Sequence, residues 1–232
     1  MPIRLLSFDL DDTLWPVMPT LWRAEGLMLE WMQANVPAVA MQHDVDSLLE
    51  HSIAFRNDHP EIAHCVTRLR LGSLRHLSEI HDHPDDWVEE AFAVFFSARQ
   101  QVELYDDVGV TLDRLAGDYR MAGITNGNAD IGLTGVDRWL EFCVSPEHLG
   151  VAKPDPGIFD ELVRRAGVDK QEIVHIGDDP TSDVLGAGRV GIRTVWLNRK
   201  RVSWPHSEMA ADEEIHDLHG LLEALSSLES DG

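Results

Sequence analysis

The N-terminal segment constrains the fold most, because a short apolar stretch is followed directly by three carboxylates. Residues 3–8 read Ile-Arg-Leu-Leu-Ser-Phe, too short a run for a helix, and they predict a buried β-strand. Asp9, Asp11 and Asp12 follow within four positions. Like charges this close raise one another's pKa and oppose folding, so we expect a cation beside them. A dense set of hard oxygen ligands favours Mg²⁺.

The spacing of the first two carboxylates also suggests chemistry. Asp9 and Asp11 are two residues apart, so in an extended chain they leave the same side of the strand. One could attack a substrate while the other transfers protons. The alternative is that Asp11, Asp12 and Thr13 form only a polar turn with an N-cap for the next helix. The rest of the chain has to decide between these interpretations.

Length and charge limit the classes of partner. The 232 residues suit one large domain, or a domain with an insertion. The formal net charge of -22 argues against nucleic acid or an anionic membrane as a partner. Cys65 and Cys143 have neither metal-ligand spacing nor a disulfide framework. No signal peptide or membrane-spanning stretch is visible, so a cytoplasmic protein, monomer or homodimer, is expected.

The stretch after the first strand is predicted to be entirely helical. Apolar residues recur at helical spacing over residues 20–33, 44–55 and 62–77, and a further helix starts at Pro84. Residues 15–98 therefore form a helical insertion between the first strand and the remainder of the chain.

From Leu104 onward, helices and strands alternate. Strands are predicted over 120–124, 141–144, 172–176 and 193–197, and helices over 107–116, 156–166, 182–189 and 215–228. This alternation predicts an α/β fold, a doubly wound parallel sheet with helices on both faces. The segment 198–214 is predicted to be a mobile connection.

Three predicted strands end in polar motifs. These are Asp9-Leu10-Asp11, Thr125-Asn126-Gly127 and Gly177-Asp178-Asp179. Ligands of open parallel sheets bind beyond the carboxyl ends of the strands, so the three motifs should share one site.

Four motifs in order resemble those of the haloacid dehalogenase (HAD) superfamily. They are Asp9-x-Asp11-x-Thr13, Thr125, Lys153-Pro154 and Gly177-Asp178-Asp179-x-x-x-Asp183. The resemblance implies a Rossmann-like catalytic core of residues 1–14 and 99–232. The helical insertion 15–98 is similar to the C1 cap of that superfamily.

The resemblance implies a Mg²⁺-dependent phosphatase that hydrolyses a small phosphate ester. Asp9 would be the nucleophile and form an aspartyl-phosphate, and Asp11 the general acid and base. The hydroxyl of Thr125 and the amides of Asn126 and Gly127 would hold phosphoryl oxygens. Lys153 would neutralise charge on Asp9 and on the phosphoryl group.

The same resemblance implies the metal site. Mg²⁺ would be bound by Asp9, the carbonyl of Asp11 and Asp178. Asp183 would orient Lys153 or a metal-bound water. Asp179 is left between a part in this site and a helix N-cap.

Two acidic residues sort the chemistry within the superfamily. The dehalogenases and phosphonatases do not carry Asp at the position of Asp11, so a phosphatase or phosphomutase is implied. Mutases usually have Gly at the position of Asp12, which favours the phosphatase. The alternatives kept open are a phosphomutase, a dehalogenase and a non-enzymatic phospho-accepting domain like a response-regulator receiver.

The core motifs also resemble those of bacterial phosphatases acting on FMN and on 5-amino-6-(5-phosphoribitylamino)uracil. This resemblance implies a role in riboflavin biosynthesis.

Other conspicuous side chains lie in or next to the insertion. Trp15, Trp22 and Trp31 are predicted mainly as its core, although Trp15 and Trp22 could face the site. Arg23, Arg56 and Arg70 could contact a second anionic group of a substrate, whereas His81 and His83 are expected to be surface residues rather than metal ligands.

Overall fold

The chain divides into two compact units. The computed structural model describes residues 2–230, apart from the side chain of residue 148. One unit comprises the residues up to Pro16, Glu103–Asn126 and those from Asp130 onward, and the other comprises Val17–Val102 with Gly127–Ala129. The division predicted from the sequence, with residues 15–98 as a cap, stays a prediction. The units differ from it at residues 15–16, which group with the first unit, and at residues 99–102 and 127–129, which group with the second.

A six-stranded parallel sheet forms the centre of the first unit. Its order is β3-β2-β1-β4-β5-β6, and every neighbouring pair is parallel. The strands are β1 Leu5–Phe8, β2 Arg120–Ile124, β3 Cys143–Val144, β4 Ile173–Gly177, β5 Arg193–Leu197 and β6 Glu213–Ile215. The predicted α/β class is confirmed. The strand order reverses between β1 and β4, and in such sheets that point opens a crevice for ligands.

The strands are mostly apolar, as expected for a parallel sheet covered by helices. All residues of β1 and β4 are buried. The helices of this unit are α6 Asp106–Leu115, α7 Ile131–Thr134, α8 Pro146–Leu149, α9 Pro156–Ala166, α10 Gly186–Arg189 and α11 Leu221–Ser230. Helix α9 has the predicted bounds: the Asp155 carboxylate caps its first turn, and Gly167, at φ +65°, ends it.

The second unit is a helical bundle with its own core. Its helices are α1 Val17–Asn35, α2 Pro37–Ala40, α3 Val45–Asp58, α4 Val66–Ile80 and α5 Val88–Arg99. Met28, Leu74 and Phe95 belong to one buried apolar cluster. Asn128 accepts a hydrogen bond from Arg99 Nε at 3.1 Å. This bond helps to explain why residues 127–129 group with the helices.

No helix in the described part of the chain is both long enough and apolar enough to span a bilayer.

Two predicted helices of the first unit are wrong in part. The helix predicted over 215–228 begins only at Leu221, because Glu213–Ile215 form β6 at the edge of the sheet. A three-residue edge strand is too short to show an alternating pattern. The helix predicted over 182–189 is a π-helical segment over Pro180–Leu185 followed by α10.

Phe159 gives a test of the packing between α9 and the sheet. Its ring is fully buried and meets the ring of His175 edge-on, with centroids 5.7 Å apart. We expect Phe159→Ala to lower the free energy of unfolding by about 3–5 kcal/mol, through lost burial and a residual cavity. Urea denaturation measures this change. Val110→Ala, on the exposed side of α6, should change it by less than about 0.5 kcal/mol; equal effects of the two variants would contradict the packing.

Candidate functional site

Three aspartates from the ends of β1 and β4 come together at the crevice. Asp9 follows β1, Asp178 follows β4, and Asp183 lies in the π-helical segment beyond it. A carboxylate oxygen of each lies within 4.8 Å of the others, the only such group of metal-ligand type among the described residues. Sequence and structure therefore place the acidic motifs at one point of the sheet.

The Lys153 ammonium lies between two of these carboxylates. Its Nζ is 2.5 Å from Asp9 Oδ1 and 2.6 Å from Asp183 Oδ1, and it donates a third hydrogen bond to the carbonyl of Ile124 at 3.0 Å. Burial disfavours the charged form, but Asp183 and Asp9 outweigh it and raise the pKa of Lys153. The residue therefore stays protonated, with all three N–H groups used.

The side chain of Asn126 fixes the backbone at Lys153. Its Oδ1 accepts from the Lys153 N–H at 2.7 Å, and its Nδ2 donates to the Lys153 carbonyl at 2.9 Å. The sequence suggested only a backbone role for Asn126. A turn Asn commonly bonds to backbone groups, but no sequence pattern identifies a partner 27 positions away.

Asp183 accepts donors on both of its oxygens. Besides Lys153, its Oδ1 lies 3.2 Å from His175 Nε2, and its Oδ2 accepts from the Asp179 N–H at 3.0 Å. Gly177 makes room for this carboxylate, since a Cβ there would lie 2.3 Å from it. His175 Nδ1 in turn lies 2.9 Å from Ser7 Oγ. Burial lowers the pKa of His175.

The three carboxyl groups have different affinities for protons. Burial raises the pKa of Asp9 well above its ordinary value, and Lys153 only partly offsets this. Burial, Asp183 and Asp12 raise the pKa of Asp178 to about 7. Burial acts on Asp183 too, but Lys153 and His175 outweigh it and hold the pKa of Asp183 below its ordinary value.

The donor set fits a hard divalent cation. Its ligand atoms are carboxylate oxygens, which Mg²⁺ prefers. Burial and neighbouring carboxylates raise the pKa values of Asp9 and Asp178, so the protein alone stabilises their ionised forms only in part. A cation would supply the missing positive charge, so the residues present fit the predicted metal.

Trp15 orients Asp11. Its indole Nε1 donates to Asp11 Oδ1 at 2.8 Å, and the Asp12 N–H donates to the Trp15 carbonyl at 2.7 Å. Trp15 is buried and groups with the first unit, so its assignment mainly to the core of the helical insertion was wrong. Asp12 has φ +60°, a conformation that Gly, Asn and Asp adopt more readily than other residues.

The remaining predicted site residues are placed as follows. Thr125 is buried at the end of β2, and its N–H donates to the Val144 carbonyl at 3.0 Å. Gly127 groups with the helical unit. Asp179 accepts from the N–H groups of Thr181 and Ser182, so the N-cap interpretation of its side chain is confirmed.

Arg199 and Asp107 were not anticipated from the sequence. Arg199 Nη1 donates to Asp107 Oδ2 at 2.8 Å, and its Nη2 donates to the Thr13 carbonyl at 3.0 Å. These bonds tie the turn after β1 to β5 and α6. Thr13 Oγ1 in turn donates to Asp178 Oδ1 at 3.3 Å. Only tertiary structure brings these side chains together.

Most side chains singled out in the insertion have partners within the helical unit. Arg70 pairs with the buried Glu25 at 2.9 Å, and Arg23 donates to the carbonyl of Ala98. These contacts do not support a role for either arginine in binding a substrate anion. Arg56 and Trp22 are exposed, and Trp31 packs on the core of the helical unit. His81 Nε2 lies 2.8 Å from His43 Nε2, and His83 Nδ1 lies 2.8 Å from the Pro84 carbonyl oxygen.

Asp178 gives a pH-dependent test. Because the pKa of Asp178 is raised to about 7 in the folded protein, folding favours its protonated form. The resulting contribution to the free energy of unfolding is complete below pH 3.8 and is lost as the pH rises through 7. In EDTA, Asp178→Asn should therefore be more stable than wild type, with a difference that grows between pH 4.5 and 7.5. Chemical denaturation across this range measures it, with the exposed Asp160→Asn as control. A pH-independent difference would contradict the raised pKa.

Known proteins match the chain over most of its length. A family model for haloacid dehalogenase-like hydrolases matches residues 3–191. The 5-amino-6-(5-phospho-D-ribitylamino)uracil phosphatase YigB of Escherichia coli (strain K12) is 33% identical over 201 residues, 84% of this chain and 83% of that protein. A glyceraldehyde 3-phosphate phosphatase of Methanopyrus kandleri is 27% identical over 228 residues, 93% of this chain and 92% of its own.

The crystal structure of a 2-haloacid dehalogenase from Pseudomonas syringae pv. Tomato DC3000 superposes with a TM-score of 0.87. It is 36% identical and covers 97% of this chain and 99% of its own. The resemblance stated from the motifs is therefore confirmed at the level of the family. Because the family model matches residues 3–191 and these relatives align over 84–97% of the sequence, this chain belongs to the haloacid dehalogenase-like hydrolases.

Proposed function

We propose that this protein is a Mg²⁺-dependent phosphomonoesterase that acts on a small phosphorylated metabolite through an aspartyl-phosphate on Asp9. The observation that carries the proposal is the Asp9 carboxylate, which lies 2.5 Å from the buried Lys153 ammonium and in one group with Asp178. Phosphate esters hydrolyse extremely slowly without help, so positioning and charge neutralisation must supply most of the rate.

Asp9 and Asp11 divide the covalent chemistry. An Asp9 oxygen attacks phosphorus while Asp11 protonates the departing alkoxide, which leaves as an alcohol. Asp11 then removes a proton from the water that attacks phosphorus. The bond between phosphorus and Asp9 breaks, and inorganic phosphate and the Asp9 carboxylate are released. The bond from Trp15 holds Asp11 in one orientation through both steps.

Neighbouring groups bind the phosphoryl oxygens. The Thr125 hydroxyl and the N–H groups of Asn126 and Gly127 donate to them, and Lys153 neutralises the charge that develops. The side chain of Asn126 supports this step indirectly, because its two bonds hold the backbone of Lys153.

Asp9, the main-chain carbonyl of Asp11 and Asp178 would hold Mg²⁺. Asp183 serves to orient Lys153, since both of its oxygens already accept hydrogen bonds from the protein. When bound, Mg²⁺ would offset the negative charge of the nucleophile and of the phosphoryl group.

The named relatives suggest which substrates to test first. The E. coli relative supports 5-amino-6-(5-phosphoribitylamino)uracil as a substrate. The likeness of the core motifs adds FMN, and both substrates would give the protein a place in riboflavin biosynthesis. The M. kandleri relative supports glyceraldehyde 3-phosphate. The cytoplasmic location and the monomeric or homodimeric state stay predictions.

A dehalogenase is the second candidate, because the P. syringae structure carries that name. Asp11 argues against it, since a halide leaves without a proton whereas an alkoxide needs one. Membership of a hydrolase family weakens the receiver-like alternative.

The first test measures turnover with a panel of substrates. Phosphate release is followed with FMN, the ribitylaminouracil phosphate, glyceraldehyde 3-phosphate, phosphoglycolate, nucleotides and sugar phosphates, and halide release with 2-chloropropionate. We expect Mg²⁺-dependent phosphate release, suppressed by EDTA and absent in Asp9→Asn. The highest kcat/KM identifies the substrate. Halide release without phosphate release would replace the phosphatase with the second candidate.

Asp11→Asn tests the two-step reaction. Without the base, the aspartyl-phosphate should accumulate and kcat should fall by about 10²–10⁴-fold. Label from a ³²P substrate that remains on the denatured protein, and is released by hydroxylamine, measures the intermediate. The double variant with Asp9→Asn should carry no label. Equal lifetimes of the label in wild type and Asp11→Asn would refute the role of Asp11.

A further inference from the structure

His175 is a fully buried imidazole that the proposed reaction does not use. It lies on β4, with Nδ1 2.9 Å from Ser7 Oγ and Nε2 3.2 Å from Asp183 Oδ1. Ser7 on β1 is paired with His175 in the register of the sheet. Two polar side chains buried in neighbouring strands are costly unless they bond to one another or to other groups.

The contacts of His175 determine which ring nitrogen carries its proton. Asp183 Oδ1 also accepts from the Lys153 ammonium at 2.6 Å, so this carboxylate is ionised and acts only as an acceptor. The imidazole must therefore present Nε2–H to Asp183. Nδ1 then has a lone pair, and the hydroxyl of Ser7 donates to it.

These bonds form one circuit of hydrogen bonds that starts at Ser7 and ends at Asp9. Ser7 donates to His175, His175 donates to Asp183, and the Lys153 ammonium bridges Asp183 and Asp9. Ser7 and Asp9 are two residues apart on β1 and its direct extension, and therefore on the same side of the strand. The circuit begins and ends on the same strand.

We propose that Ser7 and His175 are positioning residues, which hold the Asp183 carboxylate so that Lys153 remains shared between Asp183 and the nucleophile Asp9. This inference rests on the proposed function, because it assigns Asp9 the attack on phosphorus. Ser7 selects the tautomer, and His175 delivers the N–H.

The role follows from how a carboxylate is fixed. A carboxylate held through one oxygen can turn about its Cβ–Cγ bond, whereas donors on both oxygens fix its plane. The Asp179 N–H holds Oδ2. On Oδ1, one donor is Lys153, the group that the carboxylate has to position, so His175 is the donor that holds Oδ1 independently of Lys153. Gly177 has no side chain that could pack against the carboxylate, so the hydrogen bonds have to hold the carboxylate on that side.

His175→Phe and His175→Gln separate the N–H from the shape of the ring. Phe keeps an aromatic ring without any N–H, and kcat should fall by about 10–100-fold with KM little changed, as for other lost supports of charged site residues. Gln can place its Nε2–H near Asp183 and should recover most of that loss. Equal activity of wild type and His175→Phe, or a Gln variant no better than Phe, would overturn the inference.

Ser7→Ala tests the other half of the circuit. It should lower kcat in the same sense as His175→Phe but by less, because the imidazole remains while its tautomer is no longer selected. Ser78→Ala is the matched control, since Ser78 is an equally buried serine of the helical unit. An effect of Ser78→Ala as large as that of Ser7→Ala would assign the loss to packing and contradict the proposal.

¹⁵N NMR of the imidazole gives a readout that does not need turnover. Wild type should show a protonated Nε2 and an unprotonated Nδ1 at His175, and Ser7→Ala a mixture of tautomers. The Nζ–H signal of Lys153 should be protected from exchange in wild type and less so in His175→Phe. The opposite tautomer, or unchanged protection, would overturn the positioning role. Protein with these NMR signatures but no phosphatase activity would refute the proposed function alone.

Discussion

The structure of the site depends on one buried ammonium group. Lys153 Nζ uses its three hydrogens on Asp9, Asp183 and the Ile124 carbonyl, with the two carboxylates at 2.5 and 2.6 Å. Removing any of these charges from water costs several kcal/mol per ion, and their mutual attraction offsets that cost only when the geometry is good. The ends of β1, β2 and β4 must therefore meet at a fixed spacing around this one atom.

Neighbouring residues provide that spacing in different ways. The side chain of Asn126 bonds to the backbone N–H and C=O of Lys153, which fixes the backbone position from which the lysine side chain extends. Gly177 leaves room for the Asp183 carboxylate, because a Cβ on residue 177 would lie only 2.3 Å from it. A larger residue at position 177 would displace the Asp183 carboxylate. Because Lys153 bridges Asp183 and Asp9, the position of the positive charge beside Asp9 would change as well. Steric and hydrogen-bonding constraints thus act on the same lysine from opposite ends.

The sequence predicted features that depend on local pattern. Strands β2 and β5 and helix α9 have the predicted bounds, and the acidic motifs after β1 and β4 meet as expected. Features that depend on register or on tertiary contacts were missed. Ser7 and His175 pair only because β1 lies beside β4 in one register. The bond between Asn126 and Lys153 spans 27 positions, and no periodicity carries such information.

Overall similarity does not decide between the two chemistries of the relatives, since a phosphatase and a dehalogenase resemble this chain to a similar degree. The decision belongs to the residues that meet the leaving group. Both reactions can begin with attack by a carboxylate such as Asp9, but only an alkoxide leaving group needs an acid. Asp11, which accepts a hydrogen bond from the Trp15 indole at 2.8 Å, would be such an acid in the proposed reaction. A halide has no use for it, and this asymmetry favours the phosphatase.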